Sequence, residues 1–202
     1  MVKDRFQKSK WWLLALIILS AAAVVIIAPP EKTLGNGIKP VYVHISLTWA
    51  GMVTFFAAGV LGLLGALSGS QRLIPRLKTL YWVSFGLYLA GFLVSILASI
   101  VNWGGVPFDE PRVLSALNVL VVGAVGGLMM RLIPWGQIAS LMGALPTIVV
   151  YFGVQSEQIA LHPDSPVSQA PASIKNSFMG MFALALLLGL WLLAYYWPSK
   201  EV

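Results

Sequence analysis

Six apolar runs, each about 20 residues long, follow one another along the chain without a single Asp or Glu inside them. They extend approximately from Trp11 to Ala28, Tyr42 to Leu67, Leu80 to Val101, Val113 to Ile133, Gln137 to Val154 and Asn176 to Trp197. A helix rises about 1.5 Å per residue, so a run of this length crosses a hydrocarbon core of roughly 30 Å with every backbone N–H and C=O satisfied inside the segment. Lys and Arg stand only at the edges of these runs. Composition excludes the alternative of a soluble globule: 58% of the residues are apolar and 10% charged, against roughly 25% charged in soluble domains. The sequence predicts an all-α, polytopic integral membrane protein with about six transmembrane helices in a single transmembrane domain, residues 1–202.

The basic residues are divided unevenly between alternate connections. With the N-terminus inside, the cytoplasmic set is Lys3, Arg5, Lys8, Lys10, Arg72, Arg76, Lys78, Arg131 and Lys200; the other side holds Lys32, Lys39, Arg112 and Lys175, together with Glu31, Asp109, Glu110, Glu157 and Asp164. Positive charge collects on the cytoplasmic side of membrane proteins, so both termini are expected there. The first span follows a basic stretch, but Ala28-Pro29-Pro30 is a poor cleavage context, and it is read as a retained anchor. The net charge of +6 is dispersed in ones and twos beside apolar runs, which argues for membrane orientation rather than nucleic-acid binding.

Trp11, Trp12, Tyr42, Tyr81, Trp82, Trp103, Trp135, Tyr195, Tyr196 and Trp197 fall at the expected interfaces. The outer connections are residues 29–41, 102–112 and the long Ser/Pro/Ala/Gln-rich segment 155–175. Gly59, Gly62 and Gly65, and Gly123, Gly126 and Gly127, make small faces suited to close helix approach. Asn118 and Asn176 are expected to bond across helices or to lipid headgroups. No acidic or basic residue lies at mid-membrane, which disfavours a secondary transporter, and no phosphate-binding loop is present, so ATP hydrolysis would belong to a partner.

The chain has no Cys, which removes disulfides, thiolate metal sites and covalent haem attachment, and only two His. Both are expected at the outer face: His44 near the outer end of the second span and His162 in the long outer loop. Two separated imidazoles can close on either side of a porphyrin iron, whereas zinc normally takes a third or fourth protein ligand. Position alone also fits His44 as a hydrogen-bonded interfacial residue and His162 as a solvated loop residue. The loop Asn102-Trp103-Gly104-Gly105-Val106-Pro107-Phe108-Asp109-Glu110-Pro111-Arg112 offers flat apolar faces at Trp103 and Phe108, and in Arg112 a two-pronged partner for a carboxylate. It reads equally as an interfacial turn in which Arg112 neutralises Glu110 or Asp109.

Taken together, these segments resemble the CcmC-type haem-handling membrane proteins of cytochrome c maturation, related to the CcsA-type synthase subunits. The likeness extends over nearly the whole chain. The family's Tyr-x-His segment with a following Trp resembles Tyr42-Val43-His44-Ile45-Ser46-Leu47-Thr48-Trp49, with Ser46 in place of a proline. Its external "WWD" loop resembles the stretch from Trp103-Gly104 to Glu110-Pro111-Arg112, with Val106, Pro107 and Asp109 where the inner tryptophans stand. Its second histidine context resembles Leu161-His162-Pro163-Asp164-Ser165, and the upstream Leu145-Pro146 also fits.

The resemblance implies a non-enzymatic subunit that binds haem b non-covalently at the outer, periplasmic face of the cell inner membrane. His44 and His162 are the implied axial ligands. Trp49, Trp103, Gly104, Phe108, Glu110 and Arg112 complete the implied cofactor-binding set, with Trp49, Trp103 and Phe108 in apolar contact and Arg112 addressing a propionate. The implied partners are ABC-type haem-release transporter subunits and a periplasmic haem chaperone. Because neutral imidazole ligates, binding should weaken as pH falls through histidine titration. A haem-free scaffold subunit that retains the family fold is the alternative reading, and a haem b electron-transfer subunit the third.

Overall fold

The computed structural model describes residues 2–156 and 170–198. Seven helices and one short 3₁₀ turn account for nearly all of them: α1 (Val2–Ile27), α2 (Ile38–Ser68), the turn Gln71–Leu73, α3 (Ile74–Trp103), α4 (Pro111–Leu132), α5 (Gly136–Met142), α6 (Leu145–Ser156) and α7 (Ala172–Tyr196). Among the described residues no strand forms. Six segments are long and apolar enough to cross a membrane, with α5 and α6 together making one of them. These are the features of a multi-pass membrane protein.

The expected fifth span is the one that differs from a plain helix. Pro146 has no N–H to donate to the Met142 carbonyl one turn earlier, and the chain turns at Gly143 and Ala144, where Gly143 N donates to Ser140 O and Ala144 N to Leu141 O. Irregular backbone at membrane depth is tolerated only where protein covers it. Here the cover is α2 and α4. Thr147 Oγ1 donates to Phe55 O at 2.7 Å, a Cβ on Gly62 would stand 2.5 Å from Ser140 O, and one on Gly126 would stand 3.2 Å from Met142 O. The two glycine faces read from the sequence thus receive the broken span from either side.

At the centre of the fold α2 packs along α3 in one antiparallel register. Gly37 meets Asn102, Thr48 meets Gly91, and Gly51 meets Tyr88. A Cβ at Gly91 would stand 2.7 Å from the Thr48 nitrogen, and one at Gly51 the same distance from the Tyr88 nitrogen, so only glycine permits this approach of two backbones. The main core joins Phe55 and Ala58 of α2 to Leu77, Tyr81 and Tyr88 of α3, and to Val119 and Met130 of α4. On its other flank α2 meets α7 through Ala50 and Ala185, with Val83 and Leu87 of α3 completing the cluster. Helix α1 is peripheral. It leans on α7, where Trp191 Nε1 donates to Lys10 O at 2.7 Å and Trp11 packs against Trp191 and Tyr195.

Two of the aromatic residues expected at the membrane interface are core residues instead. Tyr42 is buried against Phe178 of α7, ring centroids 4.4 Å apart, and its hydroxyl donates to Pro29 O. Tyr81 is buried where α3 meets α4, and its hydroxyl donates to Gly123 O at 2.6 Å. Each phenol carries its polar tip to a backbone carbonyl inside the protein, so a buried tyrosine strands no donor.

The α1–α2 connection, the α3–α4 connection and the start of α7 lie together at one end of the bundle, called distal below. Asn102 Nδ2 donates to Gly37 O there, and Ala28, Ile38, Tyr42, Ile174 and Phe178 form a small core of their own.

Candidate functional site

His44 lies six residues into α2, about 9 Å below the distal end of the helix. It is half-buried on the face turned toward α3. Its Nδ1 stands 3.2 Å from the Gly91 carbonyl oxygen, with Thr48 Oγ1 more distant at 3.5 Å. The close approach that Gly91 allows is what brings an α3 carbonyl within reach of a ring on α2. With Nδ1–H donating to that carbonyl, the imidazole lone pair resides on Nε2. Ligating histidines are commonly oriented in this way, the second nitrogen anchored on a backbone carbonyl.

The connection from α3 to α4 forms the second part. Gly104 ends α3 with a φ of 74°, a left-handed conformation that suits glycine, and its N–H closes the last turn on Ile100 O. Glu110 N donates to Pro107 O, Glu110 occupies the N-cap position of α4, and Pro111 begins the helix. Trp103 and Phe108 present their rings outward, 45% and 58% exposed, while Glu110 is only 4% exposed and Arg112 is half-buried. Trp103, Gly105, Val106 and Pro107 line a shallow cavity of about 300 Å³, at the lower bound of small-molecule pockets.

Two charged residues at the distal end, Glu31 and Lys39, are engaged in the local structure. Glu31 Oε2 accepts from Thr33 N and Leu34 N, and Lys39 Nζ donates to Ile26 O, closing the end of α1. These contacts shape the rim without drawing either residue toward His44.

The expected site residues therefore fall into distinct places. His44 is in the α2–α3 seam; Trp103, Gly104, Phe108, Glu110 and Arg112 share the distal connection about two turns beyond it along the α2–α3 pair. Trp49 lies on another side of α2, about 140° around the helix from His44, and meets Phe182 of α7 edge-on with centroids 5.8 Å apart. His162 lies outside the described residues. Gly91 and Thr48, which surround the His44 ring, were not anticipated: one acts through its carbonyl, and no local pattern marks it.

One backbone-anchored imidazole is the donor that the described residues offer at this end of the α2–α3 seam. An oriented imidazole is present, and among the described residues no group of three or more His, Cys, Asp or Glu converges. No protein-family model matches the chain, and no curated protein matches it.

Proposed function

We propose that this chain is a haem-handling membrane subunit of the CcmC type, holding haem b non-covalently at its distal end for cytochrome c biogenesis. The observation that carries the reading is the anchoring of His44 Nδ1 on the Gly91 carbonyl, which leaves the ligating lone pair on Nε2. His162 is the second axial ligand in this reading. Trp103 and Phe108 supply exposed aromatic faces near the shallow cavity, and Arg112 faces a propionate by charge. Trp49, engaged with Phe182, serves the packing of α2 on α7. Bound haem would supply an iron centre that can be passed on, and the protein's part is to orient one imidazole, cover an apolar face and pair a carboxylate.

The distal end faces the periplasm of a cell inner membrane in this reading, with both termini cytoplasmic, because nine of the thirteen Lys and Arg belong to the opposite side. An ABC-type transporter and a periplasmic haem chaperone are the corresponding partners. The test is the visible spectrum of the detergent-purified protein, oxidised and reduced, beside His44→Ala and His162→Ala. A Soret band with sharp reduced bands that weakens in both variants is expected. Absence of any band after haem addition overturns the reading and favours the haem-free scaffold, which the replacement of the inner tryptophans by Val106, Pro107 and Asp109 also supports.

A further inference from the structure

The side of α4 that turns away from the rest of the protein carries Leu114, Asn118, Val121, Val125, Leu128 and Leu132, all exposed. They succeed one another in alternating steps of four and three residues, the spacing that keeps one stripe of a helix against a partner helix. One member of the stripe is polar. Asn118 lies seven residues from the start of α4, about 10 Å into the span. Its side chain makes no hydrogen bond to any described residue, and among those residues it is the exposed amide lying deepest in a span. The expected bond across helices is thus not made to any described residue.

An amide turned toward hydrocarbon without a partner is costly, while a carboxamide both donates and accepts and so can pair with its own kind. We propose that this face of α4 is a self-association surface, on which a second copy of the chain docks α4 against α4 with the two Asn118 side chains hydrogen-bonded to each other. Copies of one membrane protein share their orientation in the bilayer. A two-fold axis along the membrane normal therefore sets the two α4 helices parallel and puts every residue at the depth of its counterpart. Any other transmembrane partner would need its own polar group at that depth. Leu and Val on either side of the amide supply the packing, and the amide sets the register, as a single buried Asn does in paired helices.

Because the chain has no Cys, single cysteines report contacts without background. In native membranes under a mild oxidant, Val121→Cys and Val125→Cys should yield a disulfide-linked dimer of this chain, while Leu97→Cys, exposed on α3, should not. Placing Asn118→Leu in the Val121→Cys background should weaken self-association by roughly three- to thirtyfold, and Asn118→Gln should restore most of it. Equal cross-linking at positions 97 and 121, no dimer at either α4 position, or adducts with a different protein alone would overturn the proposal. So would an Asn118→Leu variant that dimerises like its parent. Val121→Cys and Val125→Cys retain Asn118, so the dimer is still tested if the Asn118 variants fail to accumulate.

Discussion

The His44 imidazole and the Gly91 backbone are linked across the α2–α3 seam, Nδ1 to carbonyl oxygen at 3.2 Å. The link depends on a missing side chain: a Cβ at position 91 would press on the Thr48 backbone, and α3 would have to retreat. Gly51 provides a matched control, since a Cβ there would press equally on Tyr88, one turn deeper and away from the histidine.

Gly91→Ala and Gly51→Ala are each expected to lower stability by about 1–3 kcal/mol, the ordinary cost of overpacking. Only Gly91→Ala should also release the histidine from its carbonyl. Haem retained per chain after purification should therefore fall more in Gly91→Ala than in Gly51→Ala at equal loss of Tm. Equal haem loss in the two variants would reduce the contact to packing alone.

Trp49 and Trp103 should separate in the same way. Trp49 meets Phe182 inside the bundle, an aromatic pair of the kind that contributes about 0.5–1.5 kcal/mol beyond burial, whereas Trp103 is half-exposed beside the distal cavity. Trp49→Ala is expected to lower Tm with little change in the haem spectrum, and Trp103→Ala to weaken haem retention with little change in Tm. Parallel thermal melts and reduced spectra of the two variants distinguish the roles, and the opposite pattern would refute them.

The number of membrane-crossing segments was legible because each must satisfy its own backbone in hydrocarbon, and such segments are long and free of acidic groups. The glycine faces of α2 and α4 were legible for a related reason: small residues at helical spacing invite a neighbour. The break between α5 and α6 was not anticipated, although Gly143 and Pro146 stand in the sequence, because hydropathy counts apolar residues and is blind to one missing N–H. Tyr42 and Tyr81 were misplaced at the interface because a phenol can reach water or a buried carbonyl, and only the tertiary structure decides which. His44 was visible as a rare side chain. Its tie to Gly91 was not, since a backbone carbonyl leaves no trace in residue identity.

The broken span should be sensitive to the hydrogen bond by which Thr147 holds it to α2. Thr147→Val retains the shape of the side chain and removes the donor to Phe55 O. Hydrogen bonds between membrane helices average about 0.6 kcal/mol and reach about 2 kcal/mol, so a loss within that range is expected in a denaturing-detergent titration. A loss well above it would mean that the bond locks the break itself, and no loss would mean that the Phe55 carbonyl finds another donor.

Orientation can be read with the same cysteine-free background. Gly105 lies in the distal α3–α4 connection, while Gln71 and Gln137 lie at the opposite end, where a Cβ on Gly136 would contact Gln71. In the proposed orientation the Gln71 side, where Lys and Arg preponderate, is the cytoplasmic one. A membrane-impermeant maleimide applied to intact cells should therefore label Gly105→Cys directly and Gln71→Cys only after the membrane is opened. The reverse pattern would invert the protein in the bilayer and place any haem bound near Trp103 on the cytoplasmic face, where a periplasmic chaperone could not receive it.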